Sequence, residues 1–141
     1  MKPFHSRVFV VEDDPSMRNA LKNLLKSVGL QPELFASAEQ FLGGERPDLP
    51  SCLILDVRLP GLDGIDLQKK LRTQNISIPV IIITGHGDIS TSLRAREAGA
   101  VAFLTKPFHD QDLLDAIQVS LARDCARRRT EGKNIDLPTE F

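Results

Sequence analysis

Four short apolar runs constrain the fold of this 141-residue chain more than any other feature of its sequence. They are VFVV (8–11), CLIL (52–55), VIII (80–83) and VAFL (101–104), and each is continuous rather than alternating. Continuous apolar runs rich in β-branched residues predict strands that are covered on both faces, as in a parallel sheet. A fifth run, PELF (32–35), begins with proline and predicts an edge strand, where a missing backbone donor is tolerated.

Helical patterns separate these runs. Apolar residues with helical spacing follow the first run and end at Gly29, and SAEQ (37–40) has the form of a capping box. Three more helices are predicted: one after the loop that ends at Gly64, one over about 89–98, and one with Asp110 as its N-cap. This regular alternation predicts an α/β fold with a doubly wound, five-stranded parallel sheet and right-handed crossovers.

The remaining composition bounds the class of protein. The apolar pattern fades from about Ala126, so we expect one domain over 1–125 and a tail or the start of a linker over 126–141. A formal net charge of −1 and the lack of Trp and Tyr provide neither a basic field nor a stacking platform, so this chain is not expected to bind nucleic acid. The apolar runs are too short for a signal peptide or a membrane span, and the two cysteines have no metal or redox spacing. We therefore expect a cytoplasmic protein without membrane contact.

Polar residues follow four of the five predicted strands. Glu12 and Asp13 follow the first run, Asp56 the third, Thr84 the fourth and Lys106 the fifth. The carboxyl ends of parallel strands form one edge of the sheet, where ligands of doubly wound folds bind. Each residue alone is explained by a helix start, a turn, a loop cap or a solvated charge. Their convergence on one edge instead predicts a site for phosphate and metal.

The residue types in this set indicate a particular chemistry. Three neighbouring carboxylates repel one another unless a cation joins them, and hard oxygen ligands with room for water suit Mg²⁺. An Asp56 held between a divalent ion and the Lys106 ammonium stays ionised and can attack phosphorus, which gives an aspartyl-phosphate. Thr84 can donate a hydroxyl hydrogen bond to the attached phosphoryl group.

Four motifs carry a family resemblance. VVEDD, LILDVRLPGLDG, IIITGHGD and VAFLTKPF, spread over residues from about 7 to 122, resemble in their order the receiver domain of two-component response regulators, the CheY-like superfamily. TGHGD and GAVAFLTKPF are similar to receivers of the nitrogen-fixation regulator type, which usually precede a helix-turn-helix DNA-binding domain. The resemblance implies the flavodoxin-like (βα)5 fold with strand order 2-1-3-4-5.

The resemblance also implies a role for each site residue. Asp56 matches the residue that accepts a phosphoryl group from a histidine kinase, with Thr84 and Lys106 as its partners in the reaction. Mg²⁺ would be held by Asp13 and Asp56, by Glu12 through water, and by the backbone carbonyl of Arg58. Thr84 and Phe103 match the switch positions, and the Lys106–Pro107 bond is expected to be cis.

The implied output is a change in the surface of the fourth helix, fifth strand and fifth helix, which is a possible homodimer interface after phosphorylation. Transcription would then be controlled through a DNA-binding domain absent from this chain. A stand-alone receiver that acts by protein–protein interaction is the alternative. A degenerate receiver that only binds partners would lack an acid or the lysine, and this chain has them all. A phosphatase of the haloacid-dehalogenase kind is disfavoured, since Arg58 stands two residues after Asp56 where that class has an acid. We expect no enzyme activity beyond promotion of the domain's own phosphorylation and dephosphorylation.

Overall fold

The alternation of strands and helices predicted from the apolar runs is confirmed. The computed structural model describes residues 6–44, 48–59, 63–85 and 89–130. Two stretches of the motif loops, 60–62 and 86–88, and residues 131–141 of the predicted tail lie outside the described residues. The elements are β1 (Arg7–Val11), α1 (Pro15–Ser27), β2 (Pro32–Phe35), α2 (Ala38–Gly43), β3 (Ser51–Asp56), α3 (Gly64–Thr73), β4 (Val80–Thr84), α4 (Ile89–Glu97), β5 (Ala102–Thr105) and α5 (Asp110–Thr130).

The five strands form one parallel sheet in the order β2-β1-β3-β4-β5, as the family resemblance implied. The strand that begins with proline is indeed at an edge. Asp56 pairs with Ile83, and Thr84 pairs with Thr105, so the carboxyl ends of β3, β4 and β5 are level. This register places the residues that follow β1, β3, β4 and β5 along the same edge of the sheet.

The continuous apolar runs are buried because both faces of the sheet are covered. Successive side chains of a strand point to opposite faces, so β1 contributes Phe9 and Val11 to one core and Val8 and Val10 to the other. The first core lies against α2, α3 and α4, and the second against α1 and α5. Each core therefore connects the sheet to a separate layer of helices.

Three helices end with a residue in the left-handed region. Gly29 has φ 83°, and the next amide, Leu30 N–H, donates to Leu25 O at 3.0 Å, which satisfies a carbonyl of the last turn of α1. Gly99, with φ 95°, follows α4 in the same way. Asn75, with φ 59°, does this after α3, where the sequence has no glycine.

The helix starts show two differences from expectation. Ser37 caps α2 by accepting from Gln40 N–H at 3.2 Å, but the Gln40 side chain accepts from Ala36 N–H rather than from the capping residue. Only half of the predicted capping box is therefore present. Asp110 is the first residue of α5 rather than its cap, and His109 O accepts from Asp112 N–H at 3.0 Å.

The fifth helix continues through Ala126 to Thr130, where the sequence analysis expected a tail. The apolar period fades in this stretch because polar contacts take its place. Asp124, although 1% exposed, accepts from Ser51 N–H at 2.8 Å and pairs with Arg127 and Arg128 at 2.8 and 2.9 Å. Within the described residues no helix combines the length and apolarity that crossing a bilayer needs.

Candidate functional site

The carboxyl edge of the sheet carries the polar residues that follow the strands. Glu12 and Asp13 follow β1 directly, Asp56 and Thr84 are the last residues of β3 and β4, and Lys106 follows β5. Glu12, Asp56 and Thr84 are buried, whereas Asp13 is exposed and Lys106 is partly exposed. The ends of four strands thus bring carboxylates, a hydroxyl and an ammonium group to one edge of the sheet. Solvent reaches this site at the exposed Asp13.

Three carboxylates at this edge are close enough to share a cation. Glu12, Asp13 and Asp56 each offer an oxygen, and these oxygens lie within 4.8 Å of one another. Like charges at this separation disfavour full ionisation of all three groups. Hard oxygen donors in an accessible cluster are the ligand type that Mg²⁺ prefers, so these residues fit such an ion.

Lys106 offsets part of this charge. Its Nζ donates to Glu12 Oε1 and to Asp56 Oδ2, both at 3.0 Å. Burial acts to lower the pKa of Lys106, but its hydrogen bonds to the two carboxylates outweigh this effect and the pKa is raised. The ammonium is therefore charged at neutral pH, yet one positive charge does not balance three carboxylates.

Glu12 is the carboxyl whose pKa the cluster changes most clearly. Burial, followed by the neighbouring Asp56 carboxyl, raises the pKa of Glu12 to about 7. The Lys106 ammonium and the Asp14 N–H, which donates to Glu12 Oε2 at 3.3 Å, act in the opposite direction. Without a further cation, Glu12 consequently binds a proton with a midpoint near neutral pH.

The loop after β3 holds Asp56 from its other side. Arg58 N–H donates to Asp56 Oδ1 at 2.9 Å, while the Arg58 side chain is exposed. The first residue of α3, Gly64, lies against the same backbone, because a Cβ added there would meet Asp56 O at 2.4 Å. The sequence pattern indicates only that Gly64 ends a loop, whereas its close approach to Asp56 is a property of the folded chain.

Arg18 is a site residue that the sequence analysis missed. Its Nη1 donates to Glu12 O at 2.9 Å and to Asp13 O at 3.3 Å, so α1 is tied back to the acidic loop that precedes it. The only signal in the sequence is an arginine in the first turns of a helix that follows three acids, which is also common for a solvated helix face.

Thr84, Phe103 and Pro107 lie around the junction of β4 and β5. Lys106 N–H donates to Thr84 O at 2.7 Å, which links the ends of the two strands. Phe103, within β5, is partly buried and packs against the core below α2, α3 and α4. The Lys106–Pro107 peptide bond is cis.

Comparison with known proteins gives consistent matches. Residues 8–118 match the response regulator receiver domain family. Nodulation protein W of Bradyrhizobium diazoefficiens is 54% identical over 134 residues, which cover 95% of this chain and 59% of that protein. Transcriptional regulatory protein FixJ of the same organism is 43% identical over 131 residues, 92% of this chain and 63% of that protein.

Solved structures agree with the sequence matches. The response regulator StyR superposes with a TM-score of 0.85 at 47% identity, over 91% of this chain and 65% of that one. The chain spans about three fifths of the length of these relatives.

Proposed function

Because the chain belongs to the response regulator receiver domain family, we propose that Asp56 accepts a phosphoryl group and that the domain signals through the resulting change of shape. The observation that carries the proposal is the position of Asp56, held at 3.0 Å by the Lys106 ammonium inside a cluster of three carboxylates. The donor is the phosphohistidine of a sensor histidine kinase, as two-component systems pair these proteins.

Mg²⁺ is the cation that we propose for the cluster. Asp13 and Asp56 would hold it directly, Glu12 through water, and the backbone carbonyl of Arg58 would complete the protein ligands. When bound, the ion neutralises carboxylate charge and stabilises the negative oxygens of the phosphoryl group in transfer.

The residues of the chain then supply nucleophile and orientation. A carboxylate oxygen of Asp56 forms a bond to phosphorus, and the P–N bond of the donor breaks with its electron pair going to the imidazole. Lys106, charged because two carboxylates raise its pKa, holds the acceptor and attracts the transferring oxygens. The Arg58 N–H keeps the Asp56 carboxylate oriented before the reaction.

We assign the switch to Thr84 and Phe103. The Thr84 hydroxyl would donate to a phosphoryl oxygen, which is supported by its position as the last residue of β4 beside Asp56 on β3. Phe103 of β5 pairs in register with Ile82 of β4, the strand that ends at Thr84, and it is only partly buried, so its ring can follow a movement of Thr84. The two packings would differ in population before and after phosphorylation.

The output surface proposed is the face of α4, β5 and α5, used for homodimerisation. Ile89 and Leu93 of α4 are 81% and 54% exposed and lie four residues apart on one face of the helix, so together they offer an apolar patch for a partner to cover. Control of transcription would come from a DNA-binding domain in a longer protein, since relatives such as FixJ are transcriptional regulators that extend beyond this match. Cys52 and Cys125 are buried and unpaired, which supports a reducing, cytoplasmic setting.

Intact mass after incubation with acetyl phosphate and Mg²⁺ tests the proposal. A gain of one phosphoryl group is expected, with no gain for Asp56→Asn and none in the presence of EDTA. The same experiment with a phosphorylated histidine kinase as donor covers the case of strict kinase dependence. No gain from either donor, or an equal gain in Asp56→Asn, would contradict the assignment.

A further inference from the structure

The guanidinium of Arg18 donates to backbone carbonyls of the acidic loop and not to its carboxylates. Arg18 Nη1 donates to the carbonyl oxygens of Glu12 and Asp13, at 2.9 and 3.3 Å, and these hydrogen bonds leave the carboxylate oxygens available. An arginine that paired with the carboxylates themselves would compete with a cation. Arg18 instead holds the backbone of the loop and leaves its carboxylates free to bind a cation.

The loop between β1 and α1 needs such support. It carries consecutive acids, and bringing Glu12 and Asp13 within 4.8 Å of Asp56 costs electrostatic energy. Other hydrogen bonds hold parts of the loop: Glu12 N–H donates to Phe35 O at 3.0 Å, Asp14 N–H to Glu12 Oε2 at 3.3 Å, and Ser16 N–H to Asp14 Oδ1 at 3.0 Å. None of these bonds reaches the backbone of Asp13, whereas the Arg18 guanidinium does.

We infer that Arg18 is a positioning residue for the cation site: by bridging the Glu12 and Asp13 carbonyls it holds their carboxylates beside Asp56. The inference rests on the proposed function. Both hydrogen bonds come from one nitrogen, Nη1, whose two N–H groups are held in the plane of the guanidinium, whereas a lysine ammonium on a flexible stem has no such fixed plane.

Charge and positioning predict opposite effects of removing Arg18. As a charge, the guanidinium repels a divalent cation, so Arg18→Gln would tighten Mg²⁺ binding. As a positioning residue, it preorganises the ligands, so the same substitution would weaken binding. Lys22 provides the matched control, because it carries the same charge one helical turn farther along α1 in the same groove.

The test is the Mg²⁺ dissociation constant of the whole chain, measured by isothermal titration calorimetry for wild type, Arg18→Gln, Arg18→Lys and Lys22→Gln. We expect both Arg18 variants to bind Mg²⁺ about tenfold more weakly, the lower end of the effect of losing a contact that supports a metal ligand. Lys22→Gln is expected to bind equally well or slightly more tightly. Binding by Arg18→Gln that equals or exceeds that of wild type would overturn the inference.

Two further measurements separate positioning from general damage. The rate of phosphorylation by acetyl phosphate is expected to match wild type at saturating Mg²⁺, while the Mg²⁺ concentration for half-maximal rate rises in both Arg18 variants. Amide NMR spectra are expected to keep wild-type shifts in the strands and to change at Asp13 and Asp14. Shifts that change throughout the sheet would instead assign Arg18 to folding and contradict a local role.

The wild-type protein distinguishes the two hypotheses. If wild type binds Mg²⁺ and is phosphorylated on Asp56, but the Arg18 variants bind Mg²⁺ as tightly as wild type does, only the inference fails. If wild type neither binds Mg²⁺ nor takes up a phosphoryl group, the proposed function fails and the inference fails with it.

Discussion

Glu12 and Lys106 share one ion pair at the site, yet they respond to burial in different ways. Lys106 keeps its charge because two carboxylates contact one ammonium. Glu12 is almost fully buried beside the Asp56 carboxyl, so its ionised form is the less favoured one. A cation bound to the cluster is therefore expected to favour the ionised form of Glu12.

The stability of the metal-free protein should fall as pH rises through this titration. Glu12 has a pKa of about 7 in the folded chain against 4.5 as its ordinary value, so between these values the folded state holds more protons than the unfolded state. The raised pKa contributes stability that is complete below pH 4.5 and lost above pH 7. We expect the free energy of unfolding, measured with urea in EDTA, to decrease over this window.

Glu12→Gln is the control for this pH dependence. The amide does not titrate, so the slope of stability against pH is expected to be smaller over the same window. A slope identical to that of wild type would show that another group is responsible.

A Cβ at position 64 is expected to disturb the acceptor. A Cβ added at Gly64 would overlap the Asp56 backbone carbonyl, so Gly64→Ala must displace the start of α3 or the backbone of Asp56. We predict a loss of about 1–3 kcal/mol in the free energy of unfolding, typical of overpacking, together with slower phosphorylation by acetyl phosphate. Gly43→Ala is the matched control, because a Cβ there meets no atom within 4 Å. Equal behaviour of the two variants would refute the steric argument.

At the scale of elements, the end of α5 is fixed by charge rather than by apolar packing. Asp124 joins the helix to the first residue of β3 through Ser51 N–H, and Arg127 and Arg128 neutralise it. Arg128 also pairs with Asp48 in the segment before β3. Arg127 and Arg128, the first two of three consecutive arginines, are thus part of the folded domain, although a run of arginines is typical of a charged linker.

Asp124→Asn should loosen this end of the helix. Removing one member of a buried ion-pair network leaves charges uncompensated, at a cost of about 3 kcal/mol in the free energy of unfolding. We also expect faster tryptic cleavage after Arg127, Arg128 and Arg129, measured by mass spectrometry under native conditions. Asp115→Asn, an exposed change on the same helix, should leave the cleavage rate unchanged. Protection that is equal in the two variants would exclude the network as the cause.

At the scale of the whole molecule, the two cores connect different helices to the sheet. The core with α1 and α5 includes no part of α4, while the other core contains Ala95 of α4 and has Phe103 packed against it. Among the described residues α4 buries only Ala95 within its length, so it is weakly attached and its outer side chains stay exposed. A change at Thr84 and Phe103 would therefore reach α4 before it reaches the opposite layer.

Phosphorylation is predicted to convert monomer to dimer through this exposed face. Light scattering with acetyl phosphate and Mg²⁺ should show a doubled mass for wild type and an unchanged mass for Leu93→Glu, since a charge on α4 opposes burial. Val28→Glu, at an exposed apolar residue that follows α1, should still dimerise. A monomer mass for phosphorylated wild type would contradict the proposed interface.

The strands, their burial on both faces and the polar residues at their ends could be predicted because they depend on local pattern. Continuous apolar runs need two covered faces, and parallel strands must end at one edge, so Asp56 and Lys106 were expected near each other. The strand order came from the family resemblance, because periodicity does not specify which strands are neighbours.

Some contacts join residues far apart in the chain, and local sequence pattern does not specify them. At the site Lys106 contacts Glu12, 94 residues away, and at the start of β3 Ser51 contacts Asp124, 73 residues away. The role of Gly64 depends on how closely α3 approaches β3, and that of Arg18 on which backbone atoms its side chain meets. Folding decides these features because hydrogen bonds and steric contacts depend on distance in space, whereas the sequence specifies only which chemical groups are available.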